Sequence, residues 1–191
     1  MRRPRSRRAL LSSAVPIPIA IAGCSDWELT SSEEAPESGL VPDGAYDCDD
    51  IDRPDPPEPH PDDALEPASY PSAPASVLED GDQYAREFEE AYRNNAFLEE
   101  YGSATQSFEF AFENGRMEET EPEADRDAVV VSIVYTVEAE TRSATHPTEW
   151  YTRVTYYIDD HVALRARNQG VASEPSFDPN PREGDPVDCF E

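Results

Sequence analysis

Three thiols, Cys24, Cys48 and Cys189, carry the covalent chemistry open to this 191-residue chain, and their odd number calls for an explanation because disulfides use cysteines in pairs. The other reactive groups are sparse. His60, His146 and His161 stand far apart, and no histidine or cysteine lies at zinc-ligand spacing from another. No serine occupies a Gly-x-Ser-x-Gly elbow, and no glycine-rich loop could cradle a phosphate. The acidic run Asp47, Asp49, Asp50, Asp52 and Asp55 has the charge to hold a hard cation such as calcium. It departs from the EF-hand pattern, because Ile51 stands at the third ligand position and Asp52 replaces the turn glycine; a solvated acidic surface explains it better. The remaining candidate is Arg153, Arg165, Arg167 and Tyr157. Guanidinium groups beside an aromatic ring can bind an anionic or aromatic ligand, provided strands bring them to one face. These residues predict neither an enzyme nor a metal or organic cofactor.

Residues 1–23 hold Arg2, Arg3, Arg5, Arg7 and Arg8 and no acid, followed from Ala9 by an uncharged apolar segment, the order of a secretory signal. That segment ends at Gly23 and falls short of the roughly 20 apolar residues a spanning helix needs. Pro16 and Pro18 weaken it further as a helix. Arg7-Arg8 ahead of Ala9-Leu10-Leu11 resembles the twin-arginine export signal, and Ile21-Ala22-Gly23-Cys24 resembles a lipobox. The resemblance implies cleavage before Cys24, a thioether-linked lipid on its sulfur, and a protein held by that lipid on the extracellular face of the cell membrane. Two acyl chains anchor stably where one binds only marginally. With Cys24 so occupied, Cys48 and Cys189 are left as a disulfide pair in an oxidising compartment. Closing a loop of about 140 residues would stabilise the fold by about 5 kcal/mol in the chain-entropy model.

The chain carries 15 basic and 42 acidic residues and a net charge of −27. Without the five signal arginines, ten basic minus 42 acidic residues leave −32. Such a surface repels nucleic acid and anionic lipid headgroups. Every basic residue is arginine, and there is no lysine. This composition, with the signal and the Ile21-Ala22-Gly23-Cys24 box, resembles that of small exported lipoproteins of salt-loving archaea.

The elements that must position the candidate residues begin late. Residues 24–47 mix Ser, Glu, Asp, Pro and Gly without periodicity and read as a flexible tether. Eight of the 21 residues from Pro54 to Pro74 are proline, so 48–75 read as an extended arm. Ser76-Val77-Leu78-Glu79 has capping-box spacing. Behind it Tyr84, Phe88, Ala91, Tyr92, Asn95 and Leu98 recur at helical intervals, with Arg86, Glu87, Glu89, Glu90 and Arg93 expected to face out and Gly102 to stop the helix. Phe108, Phe110 and Phe112 alternate with polar residues as in a half-buried strand that ends at the turn dipeptide Asn114-Gly115. A second strand, from about Ala128 to Glu140, is apolar on both faces, as expected of a central strand.

Two more strands, 149–158 and 162–167, flank Asp159-Asp160-His161. A three-residue loop would pair Ile158 with Val162, Tyr156 with Leu164 and Val154 with Ala166, keeping apolar residues together. That register sets Arg153 opposite Arg167 and Thr155 opposite Arg165, on one face with Tyr157. Residues 169–191 return to Pro, Asp and Gly until Cys189 ties the tail back.

The expected fold is therefore α+β: one N-terminal helix packed on a four-stranded antiparallel meander over residues 76–168, behind a signal peptide (1–23), the tether and the arm. The element order resembles that of cystatin-like and NTF2-like domains. It carries no motif with it, so no activity follows. The function expected is that of a monomeric, non-catalytic cell-surface module serving envelope structure or protein interaction. A ligand-binding module on the arginine and tyrosine face, and an enzyme with an NTF2-like pocket, are the alternatives. Screening shortens from about 10 Å in 0.1 M salt to about 3 Å in 1 M. Thermal melts should accordingly show the domain depending on molar salt, and an unchanged melting temperature between about 0.1 M and about 3 M salt would contradict that expectation.

Overall fold

The computed structural model describes residues 39–49, 51, 53–56, 65–120, 126–142 and 144–190. The helix α1 runs Val77–Tyr101. Ser76 caps it, its hydroxyl accepting from the Glu79 amide at 3.3 Å. The Ser76 amide, however, donates to Asp80 at 3.1 Å, so the reciprocal carboxylate sits one residue later than the capping-box spacing predicts. Gly102, at φ +51, ends the helix in a conformation that glycine adopts without strain.

Five strands follow, β1 (Thr105–Glu119), β2 (Ala128–Thr141), β3 (Ala144–Asp159), β4 (Val162–Arg167) and β5 (Asp185–Cys189), in one antiparallel sheet of order β1-β2-β3-β4-β5. The class is α+β as expected. The sheet has one strand more than the four predicted, because residues 185–189 lack alternation but find the open edge of β4. Strand β1 also outruns its predicted end: Asn114-Gly115 is no hairpin turn but part of a β-bulge, where pairing shifts from Phe112 opposite Tyr135 to Asn114 opposite Val134. The Phe112 ring lies over Gly115, and a Cβ added there would stand 3.1 Å from it.

Helix α1 packs on the face built from Val129, Val131, Ile133, Tyr135, Val154, Tyr156 and Ile158. Phe88 sits among aromatic rings, 4.9 Å from Tyr70 of the arm, 5.7 Å from Tyr84 and 6.1 Å from Tyr156. The arm therefore lies on the helix side, where Asn95 accepts from the Ala68 amide at 2.8 Å and donates to its carbonyl at 2.9 Å.

The opposite sheet face is also covered. Val41, Ala128, Val130, Tyr157, Val162 and Leu164 form a second buried cluster, with Leu40, Tyr46 and Phe177 packed against it. Residues 39–46, which the sequence reading places in the flexible tether, thus form a strap across the sheet together with the C-terminal tail.

This second cluster explains the register of β3 and β4. Ile158 faces Ala163, Tyr156 faces Arg165 and Val154 faces Arg167, one residue away from the predicted pairing. The alternation argument assumed a single buried face. With two, Val162 and Leu164 point into the strap layer, and β4 turns Ala163 and Arg165 toward the helix.

Cys48 and Cys189 are disulfide-bonded, joining the end of the strap to β5 across 141 residues. Replacing either by serine should lower unfolding free energy by about 2–5 kcal/mol in denaturant titrations. A loss of under about 0.5 kcal/mol would mean that the strap and β5 hold without the bond.

Candidate functional site

The most polar feature of the interior is an ion pair. Glu89 is 0% exposed although it lies in the middle of α1, on the edge of the helical face that carries Phe88 and Tyr92. Its Oε2 accepts from Arg165 Nε at 2.7 Å and from the Tyr156 hydroxyl at 2.6 Å, and its Oε1 accepts from Arg165 Nη2 at 2.8 Å. The fork is bidentate, the arrangement in which guanidinium and carboxylate match best. Arg165, with its side chain 9% exposed, is further covered by the Tyr92 ring, 4.0 Å from the guanidinium carbon. Helix α1 supplies the acid, β4 the base and β3 the hydroxyl, so a single contact joins three elements.

Burial alone would push the Glu89 carboxyl up. The Arg165 charge and the hydrogen bonds from Arg165 and Tyr156 outweigh it, holding the group below its ordinary value of 4.5. Burial likewise pushes the Tyr156 phenol well up, and the Glu89 charge adds to it. Arg165 is driven higher by the same carboxylate, against its own burial. Chemically, Glu89 is a carboxylate whose two oxygens are both engaged by Arg165 and Tyr156, an arrangement that suits holding elements in place.

A second network lies in the strap layer. Asp159, at the end of β3, accepts from the His161 amide at 2.8 Å, the Val162 amide at 3.0 Å and the Tyr157 hydroxyl at 2.8 Å. Arg126 completes it, donating to Asp159 at 2.6 Å and to Asp43 of the strap at 2.9 Å. Tyr157 in turn accepts from the Val41 amide at 3.1 Å. The Asp159 carboxylate thus shapes the β3–β4 turn and, through its neighbours, pins the strap.

The predicted ligand face is not assembled. Arg165 points to the helix, as described. Arg153 lies on the opposite face and grips the tail, donating to the Asp178 carbonyl at 2.9 Å and the Glu174 carbonyl at 3.2 Å. Tyr157 is buried under Val41, and Arg167 faces Val154 rather than Arg153. The one-residue change of register divides the cluster between two layers.

Cys24, Arg7, Arg8, Trp27, His60, Asp50 and Asp52 lie outside the described residues, as does the lipobox. Asp47 accepts from the Asp49 amide at 2.9 Å and so closes a local turn. Among the described residues, no group of three or more His, Cys, Asp or Glu side chains is placed to hold a metal, and no helix is long and apolar enough to cross a membrane.

A surface hollow of about 540 Å³ lies between the strap and the start of β5, lined by Tyr46, Ile51, Gly184 and Pro186, and two more lie between α1 and β1. One of these two, of about 120 Å³, is walled by Phe112, Met117, Val131 and Ile133 with Asp82 and Arg86 at its rim. The other, of about 460 Å³, lies between the arm and β1 and is lined by Phe108, Ala91, Glu87 and Glu90.

The sequence pattern missed Glu89, and its only signal was position: it follows Phe88 and precedes Tyr92 by three, so it borders the apolar stripe. Compared with protein families, with curated proteins and with solved structures, the chain matches none.

Removing one partner of the pair leaves a buried charge, so Glu89→Gln or Arg165→Met should each cost about 3–5 kcal/mol in urea or guanidinium unfolding. The double change Glu89→Leu with Arg165→Met should recover most of that loss. Because the Glu89 carboxyl is lowered on folding, its contribution is complete above about pH 4.5 and is lost as pH falls through the lowered value. Acid titration of stability should therefore be shallower for Glu89→Gln than for the parent, and parallel curves would contradict the assignment.

Proposed function

We propose that the protein is a non-catalytic module displayed on the extracellular face of the cell membrane, held there by a lipid on Cys24, and serving envelope structure or protein interaction. The Cys48–Cys189 disulfide is the observation that carries this reading. It fits an oxidising compartment and leaves Cys24, directly after Ala22-Gly23, as the odd thiol.

Other features support it. The ionised groups of the interior, Glu89, Arg165 and Asp159, are engaged with one another or with the backbone. That engagement favours a structural role over the enzyme and ligand-face alternatives. The negative charge argues against nucleic acid as a partner.

Cys24→Ser expressed in the native host tests the anchor. The parent should sediment with membranes and yield a mature N-terminal Cys24 whose mass is raised by acyl chains, whereas the variant should lose both the added mass and membrane retention. A variant that is cut at the same bond and sediments as before would overturn the proposal.

A further inference from the structure

Strand β1 lies at one edge of the sheet, and most of its residues are exposed. Its fifteen residues pair with β2 on one side, and among the described residues no strand pairs with the other. A free edge of this kind can accept an added strand, with backbone hydrogen bonds supplying affinity and hollows for alternate side chains supplying selectivity. The two hollows between α1 and β1 flank this edge on its helix side.

The hollow nearer the bulge has an apolar floor of Met117, Val131 and Ile133 and a charged rim of Asp82, Arg86 and Arg116; Phe112 at its mouth is 42% exposed, with the Arg86 guanidinium 5.1 Å from its ring centre. The hollow nearer Phe108 is rimmed by Glu87 and Glu90, both exposed. Phe108 and Phe112 are four residues apart on the same face, a separation of about 13 Å along a strand. An incoming strand would thus present side chains four positions apart to the two hollows.

Charge decides between occupants. Glu109, Glu113, Glu118 and Glu119 are exposed along β1 itself, against one exposed cation, Arg116, which pairs with Glu118 and leaves an excess of negative charge. A second copy would set these glutamates against their own kind, and like charges on adjacent strands are unfavourable. A basic strand would meet them, and Glu87 and Glu90 as well, with opposite charge.

We propose that the free edge of β1 is a docking site for an extended, basic segment of a partner protein, with an arginine or lysine reaching Glu87 and Glu90 and an apolar side chain four residues away entering the hollow beside Phe112. This deepens the interaction-module reading by naming the partner's chemistry. Its test does not involve Cys24, so either can fail alone.

The probe is a nine-residue threonine-rich peptide with one arginine and, four positions on, one phenylalanine. It is added to the purified full-length protein in molar salt and followed by amide hydrogen exchange. At saturation, exchange across 105–119 should slow at least tenfold. Binding should vanish for a peptide with proline at its centre and weaken at least fivefold for a peptide with glutamate in place of arginine. On the protein, Glu87→Lys with Glu90→Lys, two exposed helix positions, should weaken binding by a similar factor while leaving the melting temperature in place. Absence of protection on β1, or equal binding of the proline peptide, would overturn the proposal. So would β1 protection that rises with protein concentration without peptide, which would make the occupant a second copy.

Discussion

The bidentate contact between Glu89 and Arg165 is the constraint around which the rest of this fold is arranged. A buried carboxylate and a buried guanidinium are each costly alone, so helix and sheet can pack only in the arrangement that brings them together. That arrangement sets how α1 lies on the sheet, which side of β4 faces it, and how β3 pairs with β4. Tyr156 contributes its hydroxyl from the strand between, so rotation of any one element leaves a polar group without its partner.

Turning Arg165 inward has a consequence on the other face. Val162 and Leu164 then point away from the helix and need cover of their own, which the strap at residues 39–46 and the tail provide. Beyond one short 3-10 turn in each, Asp43–Ala45 and Pro181–Glu183, and β5 near the tail's end, these segments have little regular structure to hold them. The disulfide, the Arg126 bridge from Asp159 to Asp43 and the grip of Arg153 on the tail do that work instead. Arg126, Arg153 and Arg165 thus act as internal fasteners in a chain whose excess acid would otherwise push its segments apart.

The helix, its serine cap and its glycine stop were legible in the sequence, as were the central strand β2, the start of β1 and the end of β3, because each depends on periodicity or on local backbone chemistry. The Cys48–Cys189 bond followed from the export signal and the count of thiols. What the pattern misread shares one cause. Alternation assigns charged residues to the outside, so it put Glu89 on the solvent face and slid β4 by one residue to keep Arg165 there too. The ligand face expected of Arg153, Arg165, Arg167 and Tyr157 was a product of that same slip. Strand β5 and the strap were invisible for a different reason: short, proline-rich and acidic, they are ordered by an edge and an apolar face that the rest of the chain creates.

The register of β3 and β4 tests this account most directly, since everything said of the ion pair depends on which residue faces Tyr156. Cross-strand backbone proton contacts in solution NMR report it residue by residue. The account predicts contacts of Tyr156 with Arg165 and of Ile158 with Ala163. Contacts of Tyr156 with Leu164 and of Ile158 with Val162 would instead place Arg165 on the other face and contradict it.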